Sequence, residues 1–245
     1  RDVLGSRGLG DVYKRQVLMK SVFKYAVKTY CIYNPMEGVS LPRKKTSDIR
    51  LLDKKEQLCL EEYVSKIHNS TTLGITLAMT TGIRIGELCA LQWKDIDLEK
   101  RILTVSKTVQ RIQLHEADRK TKLIITEPKS ESSKRIIPIP EAVVAFLKEM
   151  RENDEDFVVS GTSRVIEPRT MQYRFAKILK NVNLPSVHFH ALRHMFASNC
   201  IRLGFDIKAL SEILGHSSVE ITLNRYVHSS FEQKTEYMNR ITICV

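Results

Sequence analysis

The sequence predicts a mainly α protein with one small antiparallel β-sheet inserted among its helices. Apolar residues recur at helical spacing along most of the chain, and short β-branched runs around polar turns are confined to residues 95–109 and 122–140. The sequence contains no internal repeat, so a repeat architecture is not expected. At 245 residues the chain is long enough for one complete domain and part of a second.

The chain divides into four segments. Residues 1–16 are glycine-rich and show no helical period, so we expect a disordered or non-native tail. Residues 17–45 read as one amphipathic helix and a linker containing Pro and Gly, and residues 46–228 as the main domain. Residues 229–245 form a tail too apolar for a free terminus. The helices predicted in the main domain are residues 52–67, 72–81, 84–91, 141–151, 168–181, 189–203, 206–214 and 218–228.

Charge and cysteine content restrict the class of protein. The formal charge of +11, spread along the chain, favours a polyanionic partner, with nucleic acid ahead of an anionic membrane surface. No apolar run approaches the roughly 18–20 residues of a membrane span, and no signal peptide is evident. We therefore expect a soluble cytoplasmic protein with no membrane partner. The cysteines are scattered and form no C-x-x-C pair, which is typical of reduced thiols. They are Cys31, Cys59, Cys89, Cys200 and Cys244.

The motif HALRH, residues 190–194, allows several uses. His190 and His194 have the spacing of two zinc ligands on a helix, but Ala191 stands where the zinc-protease signature has Glu. His190 and Arg193 lie on a flank away from the apolar stripe of the helix. That flank is either solvated surface, which is usual for arginine, or one side of an anion site.

The motif TGIRIGEL, residues 81–88, combines a helix stop with a helix start. Gly82 can take the left-handed conformation that ends one helix, and Arg84 opens the next. Glu87 suits the positive end of the helix dipole, whereas an arginine there is unfavourable unless an anion lies opposite. Arg84 therefore either pairs only with Glu87, or binds a phosphate while Glu87 holds it in position.

The motif LGHSSVEITLNRY, residues 214–226, places His216 between two helix ends, directly after a capping glycine. Tyr226 follows ten residues later and shares a helical stripe with Val219 and Leu223, which by itself is typical of a half-buried core tyrosine.

A lysine, Lys129, lies in the polar loop TEPKSESSKR between two predicted strands. A lysine at a hairpin tip is usually solvated, and Lys134 and Arg135 nearby leave open which basic residue has a special role.

These features in this order resemble the tyrosine recombinase (phage integrase) family, over about residues 20–230. The pattern is similar to integrases of bacterial conjugative transposons and prophages. It implies the family's catalytic-domain fold for residues 46–228, and residues 17–45 resemble the end of its helical core-binding domain. The resemblance also implies that residues 229–245 dock on a neighbouring protomer.

The catalytic set implied by the resemblance is Arg84, Lys129, His190, Arg193, His216 and Tyr226, with Glu87 supporting the first arginine. A tyrosine hydroxyl, with a pKa of about 10, needs a base and a neutralised phosphorane to act as a nucleophile. His190 would take the proton of Tyr226, and the two arginines with His216 would replace divalent cations. Lys129 would protonate the departing 5′ oxygen. No metal ion or other cofactor is expected.

The implied function is site-specific DNA recombination through a 3′-phosphotyrosyl intermediate. The partner would be double-stranded DNA, bound by a homotetramer. In the absence of DNA, a monomer is the alternative. Candidate phosphate contacts, each with the alternative of a solvated cationic face, are Arg43, Lys44 and Lys45 in the linker and Arg169, Arg174, Lys177 and Lys180 on one predicted helix.

Three other functions stay open. A type IB topoisomerase would use the same chemistry without paired sites, and a catalytically silent DNA-binding protein would show decay in the catalytic set, none of which is visible. A zinc hydrolase would be built on His188, His190 and His194.

Overall fold

A computed structural model describes residues 8–40, 50–113, 121–127 and 133–226, together with residues 235, 238 and 239. The chain divides into two compact units, with the boundary between Ile49 and Arg50.

The first unit contains helix α1, Gly8–Tyr30. Residues 8–16, which the sequence placed in an irregular tail, are therefore helical. The reason is that residues 11–16 contain no glycine or proline, and Gly8 and Gly10 fall in the first turn of the helix. The helix ends at Tyr30, and the next residue, Cys31, takes a left-handed φ of 51°.

The second unit is mainly helical, as predicted. Asp53 and Asn69 cap the first two of its helices by accepting hydrogen bonds from backbone N–H groups of the first turn. Helix α3 is buried along most of its length and packs against α7, which makes it the centre of the core. The helices are α2 Lys54–Lys66, α3 Ser70–Thr81, α4 Ile85–Ala90, α5 Glu141–Met150, α6 Pro168–Asn181, α7 His190–Arg202, α8 Ile207–Leu214 and α9 Val219–Tyr226, with a 3₁₀ turn at Trp93–Asp95.

The strands form two small antiparallel sheets in the described residues, not the single sheet that was predicted. The strands are β1 Ile96–Asp97, β2 Ile102–Val105, β3 Thr108–Gln113, β4 Thr121–Thr126 and β5 Arg135–Pro138. The order β1-β2-β5 makes one sheet and β3-β4 the other. The prediction of a hairpin between β4 and β5 was wrong, because β3 pairs with β4 along all six residues and leaves β5 to pair with β2. β4 and β5, which follow one another in the chain, thus belong to different sheets.

The mainly α fold with small antiparallel sheets confirms the predicted fold class. Among the helices that the structure describes, none has both the length and the hydropathy needed to cross a bilayer.

Candidate active site

Four of the predicted catalytic side chains line one cleft of about 300 Å³. They come from three places in the second unit: the residue before α4, the first turn of α7, and the turn between α8 and α9. The lining residues are Arg84, Ser133, His190, Arg193, Gly215, His216, Ser217 and Ile221.

Two glycines turn the chain towards this cleft at the ends of helices. Gly82 ends α3 with a φ of 64°, and Gly215 ends α8 with the same φ of 64°. Both values lie in the left-handed region, which glycine enters without a steric penalty. The first turn delivers Arg84 to the start of α4, and the second delivers His216 to the cleft within one residue of the helix end.

The carboxyl end of α8 holds three arginines. Its last carbonyl oxygens have no partners within the helix, and they lie at the negative end of the helix dipole. Three consecutive carbonyls each accept a hydrogen bond from a different guanidinium. The pairs are Arg135 Nε to Ile213 O at 2.6 Å, Arg193 Nη2 to Leu214 O at 2.7 Å, and Arg84 Nη2 to Gly215 O at 2.8 Å. One helix end therefore sets the relative positions of all three guanidiniums.

Arg193 is buried, with 2% of its surface exposed. The prediction that it lies on an open flank of its helix was wrong, because α7 is buried on more than one side. The guanidinium is accommodated inside the protein because Gly82 O and Leu214 O accept its hydrogen bonds, at 2.8 and 2.7 Å. A buried arginine that also lines the cleft can present its charge to an anion with little screening by water.

Glu87 lies between two arginines. Its carboxylate, with 4% of the side chain exposed, accepts hydrogen bonds from Arg84 Nη1 at 2.8 Å and from Arg135 Nη2 at 2.8 Å. It also accepts the backbone N–H of Arg84 at 3.0 Å. The predicted contact of Glu87 with Arg84 is thus present, and the sequence did not predict the second partner. The sequence signal for it was a basic residue at the start of a short apolar segment, RIIPIP.

The charge balance around Glu87 keeps its carboxyl ionised. Burial raises the pKa of Glu87, but the hydrogen bonds and charge of Arg135, followed by those of Arg84, outweigh burial, so the pKa of Glu87 lies below its usual value of 4.5. Three guanidiniums and one carboxylate leave this cluster with net positive charge, which suits a phosphodiester anion.

The two histidines occupy different settings. His190 is exposed at the first residue of α7, and its ring meets that of His194 edge-on, with 4.7 Å between the centroids. His216 is half-buried, and its Nδ1 lies 2.7 Å from the hydroxyl oxygen of Thr222, a fully buried residue of α9. This contact ties the helix that carries Tyr226 to the cleft.

The other two predicted catalytic residues are Tyr226 and Lys129. Tyr226 is the last described residue of α9, one helical turn after Thr222. Val219 and Leu223, which the sequence placed on one helical stripe with Tyr226, are 37% and 42% exposed. Lys129 lies outside the described residues. The competing lysine, Lys134, forms an ion pair with Glu127 at 2.8 Å.

The predicted DNA-contacting residues of α6 differ in their environments. Arg169, Lys177 and Lys180 are exposed, whereas Arg174 is half-buried and donates a hydrogen bond from Nη1 to Val159 O at 3.2 Å. The guanidinium of Arg174 thus binds a backbone carbonyl of the protein itself, which the sequence did not predict. The linker candidates Arg43, Lys44 and Lys45 lie outside the described residues.

Metal ligation was the competing interpretation of the histidines. Over the described ranges, no group of three or more His, Cys, Asp or Glu side chains could hold a metal ion.

The packing of Arg135 against Gly215 predicts a stability effect. A Cβ at Gly215 would lie 3.0 Å from Arg135 Cδ and 3.0 Å from Nη1, whereas Gly161, with a similar φ of 63°, has open space around it. We expect Gly161→Ala to lower the free energy of unfolding by about 1–2 kcal/mol, from the left-handed backbone alone. Gly215→Ala should add about 1–3 kcal/mol from overpacking. Urea unfolding of both variants measures the difference, and equal losses would contradict the contact.

Known proteins resemble this chain in sequence and in structure. A family model described as "Phage integrase family" matches residues 50–233. The tyrosine recombinase XerC-like protein of Caldanaerobacter subterraneus subsp. tengcongensis is 32% identical over 243 residues, which cover 89% of this chain and 62% of that protein. The transposase from transposon Tn916 of Enterococcus faecalis is 26% identical over 256 residues, which cover 94% of this chain and 60% of that protein. The chain thus spans about three fifths of the length of these curated relatives.

A solved structure supports the same relationship. The Tn1549 transposon integrase, in complex with a circular intermediate DNA, aligns with a TM-score of 0.71 at 25% identity, covering 98% of this chain and 89% of that one. The predicted resemblance is confirmed. Since the family model covers most of the second unit, the chain belongs to the phage integrase family.

Proposed function

We propose that the protein is a site-specific DNA recombinase that cleaves and rejoins double-stranded DNA through a 3′-phosphotyrosyl intermediate. The observation that carries this proposal is the convergence of Arg84, His190, Arg193 and His216, from three separate segments of the sequence, on one cleft. Support also comes from the relatives, which include a tyrosine recombinase, a transposase and an integrase solved with DNA.

The proposed reaction is an in-line transfer at phosphorus. The phenolic oxygen of Tyr226 attacks the scissile phosphate as His190 takes the phenolic proton, and a new O–P bond forms. The bond to the 5′ oxygen breaks, and Lys129 donates a proton to that oxygen. Because the phosphotyrosyl bond retains the energy of the broken phosphodiester, attack by a 5′ hydroxyl reverses the reaction without ATP.

The arginines supply the electrostatic part of the proposed mechanism. Arg84 and Arg193 would neutralise the charge that grows on the non-bridging oxygens, and His216 would donate a further hydrogen bond. Since both guanidiniums are already held by carbonyls of α8 and the α3–α4 turn, little reorganisation is needed when phosphate enters.

Assembly on DNA belongs to the same proposal. We propose a homotetramer on two DNA sites, in which residues 229–245 dock on the neighbouring protomer, and we propose that DNA binding associates the protein with the nucleoid. On α6, the exposed Arg169, Lys177 and Lys180 would contact phosphates and position the duplex.

The α6 surface predicts a salt effect. Lys177→Ala and Lys180→Ala should each weaken binding to a nonspecific duplex and lower the steepness of log K against log salt concentration by about 0.9. Fluorescence anisotropy titrations at several salt concentrations measure the slope. Lys66→Ala is the control, since this lysine is also exposed but already pairs with Glu62 at 2.6 Å. Unchanged slopes in both α6 variants would remove this helix from the DNA interface.

The decisive test is covalent capture. The full chain is incubated with a pool of nicked duplexes of randomised sequence, and denaturing gels are searched for a protein–DNA adduct that protease destroys. Adducts formed in the presence of EDTA are expected, with the DNA 3′ end attached to protein. No adduct from any duplex would reject the proposed chemistry and leave a silent DNA-binding protein.

A second assay separates recombination from topoisomerase activity. A plasmid with two copies of the captured site should yield resolved or inverted products. If the protein relaxes the supercoils of a plasmid with one site and yields no recombinant products from the plasmid with two sites, a type IB topoisomerase-like activity is favoured.

A further inference from the structure

We infer that Arg135 is a positioning residue of the active site, which fixes Arg84 through Glu87 and through the carboxyl end of α8. The inference rests on the proposed function, because Arg84 is there assigned to the scissile phosphate. Arg135 itself would touch neither the phosphate nor the nucleophile.

The contacts of Arg135 use its whole guanidinium. Nε donates to Ile213 O at 2.6 Å, and Nη1 donates to Ser133 O at 3.1 Å. Nη1 and Nη2 also donate to the two carboxylate oxygens of Glu87, at 3.2 and 2.8 Å. Only 6% of the side chain is exposed. Such a planar set of donors holds its acceptors in one arrangement that a lysine cannot reproduce.

Arg84 depends on the same two acceptor groups. Glu87 Oε1 receives hydrogen bonds from both Arg84 Nη1 and Arg135 Nη1, at 2.8 and 3.2 Å. The second terminal nitrogen of Arg84, Nη2, donates to Gly215 O, two residues beyond Ile213, whose carbonyl binds Arg135. Without Arg135, the Glu87 carboxylate is free to turn fully onto Arg84, and the segment 213–215 loses one of its fixed points. Both changes would move the Arg84 guanidinium.

The position of Arg135 supports an indirect role. It does not line the cleft of Arg84 and His190 but a neighbouring one, together with Lys208 and Glu212. The two clefts share His216 and Ser217. Arg135 is also the first residue of β5, so it joins the end of the β4–β5 connection to α4 and α8.

The test compares adduct formation on two substrates at saturating DNA. One is a nicked duplex obtained by covalent capture, and the other carries a methylphosphonate, an uncharged group, at the scissile position. A correctly placed Arg84 matters less when the reacting group has no charge to neutralise. We expect Arg135→Ala to slow adduct formation about 100-fold on the phosphodiester, the cost of misplacing a catalytic group by about 1 Å. On the methylphosphonate the loss should be much smaller.

Three further variants keep the result interpretable. Arg135→Lys retains the charge and should show a smaller loss with the same dependence on the substrate, which covers the case that Arg135→Ala fails to fold. Arg84→Ala should show the same dependence. Arg111→Lys is the matched control, since Arg111 also binds a carboxylate with two nitrogens, that of Glu167 at 2.6 and 2.8 Å, but does not line the cleft. It should react at the wild-type rate on both substrates.

The outcomes separate the inference from the proposed function. An equal loss on both substrates would make Arg135 a packing residue and overturn the inference, while the recombinase proposal would stand. A wild-type rate for Arg135→Lys and Arg135→Ala on the phosphodiester would overturn it as well. Failure of the unaltered protein to form an adduct with any duplex would instead reject the proposed function.

Discussion

Tyr226→Phe is expected to abolish the covalent protein–DNA adduct while leaving DNA binding unchanged. Phenylalanine keeps the ring but removes the only oxygen that could form the phosphotyrosyl bond, so the rate should fall at least about 10⁴-fold, as when other covalent nucleophiles are removed. The measurement is the rate of adduct formation on a captured nicked duplex, with anisotropy titration of the same duplex to measure affinity.

The control for this substitution is Tyr237→Phe, since Tyr237 is the other tyrosine that follows His216 in the sequence. It should form adduct at the wild-type rate. If the adduct persists in Tyr226→Phe and disappears in Tyr237→Phe, the nucleophile is Tyr237 and the proposed assignment is wrong.

Glu87→Gln should have the largest effect on stability. The substitution removes the buried negative charge between Arg84 and Arg135, and it turns an amide N–H₂ group towards one of the guanidiniums. Breaking a buried ion pair from one side costs about 3–5 kcal/mol, because the remaining charge is left uncompensated. Chemical denaturation at neutral pH measures the loss. Glu62→Gln, at an exposed pair with Lys66, should cause no measurable change.

The same carboxylate predicts a pH dependence. Because the pKa of Glu87 in the folded protein lies below the usual 4.5, its contribution to stability is complete above that value. The contribution is lost as the pH falls through the lowered pKa of the folded state. Between neutral pH and the acid range, wild-type stability should therefore fall more steeply than that of Glu87→Gln. Parallel curves for the two proteins would show that Glu87 does not titrate in this way.

Much of the fold could be predicted because its signals are local. The helix stop at Gly82 and the start of α4 after Arg84 follow from left-handed glycine and helix-end chemistry, which need no distant contact. Strand pairing could not be predicted in the same way. The choice of β2 as the partner of β5 depends on the competition between β3 and β5 for β4, which only the folded chain resolves.

The sequence by itself determined which residue types are available for chemistry, and their order along the chain. It could not determine the burial of Arg193 or the role of Arg135, because both depend on the carbonyls at the end of α8. A helical wheel describes the neighbours of a residue within one helix, whereas the partners of these guanidiniums belong to other elements. Only the tertiary structure brings three arginines to one helix end, where unpaired carbonyls and the helix dipole accept them.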